Sequence, residues 1–177
     1  MVRALTGHGW RVTSVAFSAD GKFSLSGSED DSVKLWDVAK GQEVRTLHNG
    51  LAKVTCVAFS PDGRFGLSGD RDKAVKLWSL ANGREVHRFD GHAQVIRGVG
   101  FTRDGRFAVS ASEDETVKVW DLGTGKVIRT FAGHEAAVTG VTVSPNGHNA
   151  ASAGADGSIR IWQLPRQVWP PAEEARK

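Results

Sequence analysis

Serine, histidine and aspartate recur together along this chain, and each trio has the residue types of an acyl-transfer site. His8, Ser26 and Asp30 are followed by His92, Ser110 and Asp114, and again by His134, Ser152 and Asp156. A hydrolase needs one exposed serine oxygen, a histidine base, an orienting carboxylate and donors for the oxyanion. Here the set comes in copies, and a tryptophan accompanies each one: Trp36, Trp120 and Trp162. Ser68, Asp72 and Trp78 form a further set, in which Gly50 stands where the histidine belongs. A nucleophile is needed once. An acceptor for a buried indole N–H is needed wherever such an indole occurs, and a buried aspartate needs several donors. The sets therefore read as structural, and no catalytic residue is assigned. Gly50 leaves Asp72 to water or backbone, so that unit is expected to be the least rigid of the interior ones.

The remaining reactive groups point to no other chemistry. The single cysteine, Cys56, lies in an apolar run and reads as a buried small hydrophobe. One thiol can make neither an intrachain disulfide nor a cysteine-based zinc site. His48, His87 and His148 have no metal-ligand spacing, so no metal and no cofactor is expected. No glycine-rich loop joins a strand to a helix, which leaves a nucleotide site without support. The formal charge is +3, from 23 Lys and Arg against 20 Asp and Glu, too mild to imply nucleic acid or an anionic membrane. No apolar run has the length of about 18 residues needed to cross a membrane, and the N-terminal residues lack a signal-peptide core. A soluble, cytoplasmic protein is expected.

These residues must be positioned by something periodic. Trp36, Trp78, Trp120 and Trp162 are each 42 residues apart. The same step links Phe17, Phe59, Phe101 and Val143, and also Gly21, Gly63, Gly105 and Gly147. Four gapless repeats fill most of the 177 residues, and a fixed period of this size signals a repeat architecture. Within the first repeat, residues 12–17, 23–28, 32–37 and 43–47 read as short strands. Turn residues such as Ser18-Ala19-Asp20-Gly21 separate them, where Asp bonds back to local backbone and Gly accepts positive φ. Short strands at this spacing with no helical period mean an all-β chain. A lone meander is marginal in water, so each unit must bury its faces against neighbours.

Gly7-His8, Ser26-Gly27-Ser28-Glu29-Asp30 and Val33-Lys34-Leu35-Trp36-Asp37 resemble the signature of the WD-repeat β-propeller family, as does the repeat length. Gly91-His92, Ser110, Asp114 and Val117-Lys118-Val119-Trp120-Asp121 repeat it almost intact. Repeat two departs from it at Asn49-Gly50 and Ser79, and repeat four ends Trp162-Gln163. The resemblance implies four four-stranded blades in residues 1–164. The repeats run from about 5–46, 47–88, 89–130 and 131–164, with 2–5 as a spare outer strand, and a Pro-rich, charged tail follows at 165–177. It also implies that Asp orients His, His reaches Ser, and Ser accepts the indole N–H. The gapless, nearly identical copies are similar in style to bacterial WD-repeat proteins, in which such arrays accompany signalling domains.

The resemblance further implies a protein-interaction scaffold rather than an enzyme, binding a protein or peptide on the narrower top face. The positions that point there are Arg11, Thr13 and Glu29; Lys53, Thr55 and Arg71; Val95, Arg97 and Glu113; and Ala137, Thr139 and Ala155, with Trp10 beside them. Four are basic and two acidic, which suits an acidic or phosphorylated segment held by arginine forks. Aromatic anchors are missing apart from Trp10, which argues against nucleic acid and against a tight pocket. An enzyme using the central channel is the alternative, as is a fragment of a larger signalling protein.

Strand counting raises the question of closure. After Trp162 there is no fourth strand, while residues 2–5 offer a spare one for the Ser158–Trp162 edge, from the same chain or another. Blades of this shape turn a ring by about 45–51° each, so four cover about half of it. Two chains head to tail are expected to close an eight-bladed ring as a homodimer. Pro165, Pro170 and Pro171 block strand pairing, so the tail from about 170 on is expected to be extended or mobile, with Val168 and Trp169 over an apolar patch.

Overall fold

The computed structural model describes residues 4–168. Among these residues fifteen strands make four antiparallel sheets, with neighbours in space following neighbours in sequence. The first blade is β1 (Val12–Phe17), β2 (Phe23–Ser28), β3 (Ser32–Asp37) and β4 (Gln42–His48). The second is β5 (Val54–Phe59), β6 (Phe65–Asp70), β7 (Val75–Ser79) and β8 (Glu85–Phe89). The third is β9 (Ile96–Phe101), β10 (Phe107–Ser112), β11 (Thr116–Asp121) and β12 (Val127–Ala132). The fourth has three strands among the described residues: β13 (Val138–Val143), β14 (Asn149–Gly154) and β15 (Ile159–Gln163). A 3-10 turn at Arg166–Val168 follows.

Local chemistry sets the turns. Between β1 and β2, Asp20 Oδ1 accepts from the Lys22 amide at 3.1 Å and from the Ser18 hydroxyl at 2.7 Å, while Gly21 takes φ 69°. Ser60 and Asp62, Thr102 and Asp104, and Ser144 and Asn146 repeat this arrangement. The β2–β3 turn demands a left-handed residue, which Asp31, Lys73 and Glu115 supply against their preference and Gly157 supplies readily.

The core lies between blades. One apolar cluster joins Leu25, Val33 and Leu35 of the first blade to Val54, Val57 and Trp78 of the second. A second joins Leu67, Val75 and Leu77 to Ile96, Val99 and Trp120. A third joins Val109, Val117 and Val119 to Val138 and Ala150. The first strands β1, β5, β9 and β13 run side by side along the inside, and β5, β9 and β13 each pack on the second strand of the blade before.

Such packing leaves two faces open. On β1, Val15 is 67% exposed, whereas its counterpart Val57 is 7% exposed against the preceding blade. On β15, Ile161 is 66% exposed, whereas its counterpart Leu35 is 6%. Ala4 and Leu5 belong to no strand and are exposed, so these two residues do not pair with β15 within the chain; residues 2 and 3 lie outside the described residues. Of the tail, Val168 is fully buried, and Trp169 onwards lies outside the described residues.

On β9 glycine admits the backbone of the next blade. A Cβ on Gly98 would stand 2.8 Å from the Val141 amide nitrogen, backbone of the next blade, whereas one on Gly100 would meet nothing within 4 Å. Gly98→Ala is expected to cost about 1–3 kcal/mol by overpacking. Gly100→Ala should be neutral or slightly stabilising, because it restricts only the unfolded chain. Chemical denaturation of the two variants checks the contrast.

Candidate functional site

The Ser, His, Asp and Trp sets form hydrogen-bonded chains. In the first blade His8 Nδ1 lies 2.9 Å from Asp30 Oδ2, and His8 Nε2 lies 2.6 Å from Ser26 Oγ. Trp36 Nε1 donates to the same Ser26 oxygen at 2.7 Å. The ionised Asp30 only accepts, so Nδ1 carries the histidine proton. Nε2 then accepts from the serine hydroxyl, and the serine oxygen accepts from the indole. His92, Asp114, Ser110 and Trp120 repeat the chain, as do His134, Asp156, Ser152 and Trp162. The four serine oxygens are buried beneath the indoles they serve, which leaves a substrate carbonyl no approach to them.

The electrostatics fit fixed protonation. Burial pushes the Asp30 carboxyl up, but the Ser32 hydroxyl, the Gly9 amide and His8 outweigh it and hold the group well below the usual carboxylate range. Asp114 is lowered against burial in the same way by Thr116, the Ala93 amide and His92. The amide and hydroxyl of Ser158 lower Asp156. Burial lowers His92, with Asp114 partly opposing it, so the imidazole stays neutral. Burial pushes the Cys56 thiol up to about 12, which makes it inert as a nucleophile.

The second blade differs from the expectation drawn from spacing. Asp72 is exposed in the β6–β7 turn and is not part of the chain. Asn49 and Asp70, both buried, replace the histidine and aspartate. Asn49 Nδ2 donates to Asp70 Oδ2 at 3.1 Å and to the Ala52 carbonyl at 2.8 Å. Ser68 lies 3.5 Å from Asn49 Oδ1 and accepts from Trp78 at 2.8 Å. Lys76, also buried, donates to the Asn49 carbonyl at 2.7 Å and lies 3.9 Å from Asp70. The physical reason is reach. Gly50 has no side chain, while Asn49, one residue earlier, projects an amide inward to a carboxylate two residues before Asp72. Asn49, Asp70 and Lys76 were thus missed from spacing; the signal was a carboxylate at the end of β6 where the other repeats have Ser28, Ser112 and Gly154.

The top of the molecule is the end that carries the β2–β3 turns and the links between blades. There, Arg11 donates to Glu29 Oε1 at 2.5 Å and Arg71 to the same oxygen at 3.2 Å, while Lys53 lies 3.4 Å from Oε2. Arg11, with Lys53, holds the Glu29 carboxyl below its ordinary value against burial. Lys53 also sits 5.5 Å from the centre of the Trp10 ring, which is 68% exposed. Arg97 pairs with Glu113 through Nε at 2.8 Å and through its terminal nitrogen. A polar depression of about 300 Å³ is lined by Arg11, Thr13, Glu29, Thr55, Arg71 and Arg97 among others. A second, of about 360 Å³, has Trp10, Lys53 and the highly exposed Leu51 on its walls.

Two of the expected contact positions have another task. The Thr13 hydroxyl bridges the carbonyls of Gly27 and Val54, and that of Thr55 bridges Gly69 and Ile96, tying adjacent blades together. Val95, Ala137, Thr139 and Ala155 occupy the matching positions of the third and fourth blades, where the amides of Glu113 and Ala155 bond back to the carbonyls of Val95 and Ala137. They bring no charge, so the charged surface belongs to the first three blades. Leu51, missed from the sequence, follows the Asn49-Gly50 departure of repeat two.

Among the described residues no group of three or more His, Cys, Asp or Glu can hold a metal, and no helix is long and apolar enough to cross a membrane. Asp70→Ala is expected to cost about 3 kcal/mol or more, because it strands Lys76 and Asn49 in the interior. Asp72→Ala should stay within about 0.5 kcal/mol of the parent. Urea denaturation midpoints distinguish them.

Comparison with known proteins agrees with this geometry. The family model described as WD domain, G-beta repeat matches residues 1–37, 41–79, 83–121 and 125–163. A 44-residue stretch is 50% identical to the small ribosomal subunit protein RACK1 of Caenorhabditis elegans, covering 25% of this chain and 14% of that protein. A stretch of 39 residues is 56% identical to the vegetative incompatibility protein HET-E-1 of Podospora anserina, covering 22% of this chain and 3% of that one. RACK1 of Dictyostelium discoideum is 49% identical over 43 residues, 24% of this chain and 13% of its own. The matches thus span a small part of each relative's length. Four matched repeats, each with its Trp–Ser hydrogen bond in place, make the chain a member of the WD domain, G-beta repeat family.

Proposed function

We propose that the chain is a non-enzymatic protein-interaction scaffold whose top face takes an acidic or phosphorylated segment of a protein partner. The observation that carries this reading is the convergence of Arg11, Lys53 and Arg71 on the single carboxylate of Glu29. One carboxylate cannot neutralise three cations. An incoming phosphate or glutamate would complete their coordination through charge-assisted hydrogen bonds. Trp10 and Leu51 supply an apolar shelf beside the charges, the usual pairing of a hot spot with a polar rim. A fluorescent phosphoserine peptide flanked by glutamates is the probe. Lys53→Glu with Arg71→Glu should weaken its binding by about tenfold or more and flatten its salt dependence. Binding that is unchanged in this double variant overturns the reading.

The scaffold we propose is an eight-bladed ring of two chains. The open β1 face carries Val12, Val15 and Phe17, whose counterparts Val54, Val57 and Phe59 pack on the preceding blade. The open β15 face carries Ile159 and Ile161, counterparts of the buried Val33 and Leu35. Each exposed face is thus one half of an interface the chain already makes three times. A second copy placed head to tail buries both, and residues 2–5 of each chain match β4 in pattern and would pair with β15 of the other. Light scattering at micromolar concentration should give about twice the 19.0 kDa monomer mass, lost on deleting residues 2–6. A stable, non-aggregating monomer overturns the ring.

A further inference from the structure

The opposite, bottom end of the molecule carries a groove between the first two blades that none of the foregoing uses. Its volume is about 420 Å³, and Phe23, Leu35, Val44, Phe59 and Leu80 form its apolar wall. The residues two repeats further on are Phe107, Val119, Ile128, Val143 and Leu164. These belong to the apolar cluster between the third and fourth blades, and that cluster includes Val168 with no exposed surface. The chain's own segment after β15 therefore seats a branched aliphatic side chain against a copy of this wall. The 3-10 turn Arg166–Val168, closed by the Val168 amide on the Pro165 carbonyl at 2.9 Å, delivers it there. Between the first two blades the matching stretch after β7, residues 80–84, instead turns back into β8, closed by the Gly83 amide on the Ser79 carbonyl at 2.8 Å. Val44 is accordingly 46% exposed, whereas Ile128 is half-buried.

Charge at the groove defines the rest of the occupant. Arg45 lines it, and its Nε is buried without a hydrogen-bond partner, while one terminal nitrogen donates to the Ala81 carbonyl at 3.1 Å. Arg64 stands on the rim, 4.0 Å from the exposed Asp62. A carboxylate is the best partner for guanidinium groups placed at a groove, through charge-assisted hydrogen bonds.

We propose that this groove docks an extended segment of a partner protein that inserts a valine, leucine or isoleucine as Val168 does and places a neighbouring carboxylate on Arg45 and Arg64. The site is separate from the top face and does not depend on it. A fluorescein-labelled pentapeptide, Pro-Glu-Gln-Val-Glu, keeps the spacing from Pro165 to Val168 and sets carboxylates around the valine. Its fluorescence anisotropy should saturate with the full chain below about 1 mM, a weak but specific range. The lysine analogue Pro-Lys-Gln-Val-Lys should bind about tenfold more weakly. Val44→Glu, at an exposed position, should abolish binding with an unchanged melting temperature. Arg45→Glu with Arg64→Glu should reverse the preference between the two peptides. The Lys53→Glu, Arg71→Glu variant of the top face should bind as the parent does. In amide NMR spectra the shifts should centre on Phe23, Val44, Phe59 and Leu80. No saturation, indifference to Val44→Glu, or shifts centred on Val168 would each overturn the proposal.

Discussion

Every blade of this chain has two apolar faces, and burying them against the next blade is what the rest of the structure depends on. The three clusters all straddle a blade boundary, so no blade holds a core of its own. At about 25 cal/mol per Å² of apolar area, such layers are the main stabilising contribution of an array. This makes the backbone at the boundary unusually tight. Thr13 and Thr55 bridge carbonyls of adjacent blades, and Gly98 lets β9 approach β13 more closely than a side chain permits. It also explains why the ends differ from the middle. The two branched aliphatic positions of the first strand are buried on β5 as Val54 and Val57 and on β9 as Ile96 and Val99, but exposed on β1 as Val12 and Val15.

The hydrogen-bonded chains solve a second problem that this packing creates. Each third strand turns a large tryptophan inward, and its indole N–H then has to be satisfied away from water. Serine does so at 2.7–2.8 Å in all four blades. Histidine and aspartate carry the polarity outward to the top, where the Asp30, Asp114 and Asp156 carboxylates also accept from the amides of Gly9, Ala93 and Glu135. The links between blades are therefore fixed by the same groups that satisfy the interior. A trio that looks catalytic in the sequence holds the loops on which the top-face charges stand.

How far the sequence discloses this depends on whether spacing and reach coincide. Where they do, a 42-residue step is enough. Trp36, Trp120 and Trp162 stand over the serines expected of them, and β2 and β3 fall at Phe23–Ser28 and Ser32–Asp37 as their turns require. In the second blade they do not. Counting leads to Asp72, but a side chain is placed by where its Cα points and how far it extends, and Asn49 with Asp70 meets the same demand from other positions. The top-face positions show the same divide. The 42-residue step puts Arg11 with Lys53, and Glu29 with Arg71, at the same end, but that three of these side chains meet at one carboxylate is set by reach across the blade boundary, which spacing does not give. Thr13 and Thr55 point to the expected end, yet their hydroxyls are engaged by carbonyls across the blade boundary.

Repetition itself has a consequence for binding. When a sequence repeats without gaps, every boundary presents nearly the same surface, and a segment that fits one fits the others unless local changes intervene. The bottom grooves illustrate this. Between the third and fourth blades the chain's own Val168 fills the position, and between the second and third the His87 ring crowds Gly125, within 1.8 Å of where a Cβ would stand. Between the first and second, Gly83 faces the Arg45 and Leu47 side chains instead, and the wall of Phe23, Val44 and Phe59 stays accessible. One wall is filled from within, one boundary sets a histidine ring against its glycine turn, and one leaves a groove of about 420 Å³. A repeat protein thus gains distinct sites less by inventing new surfaces than by choosing which copies of an old one to cover.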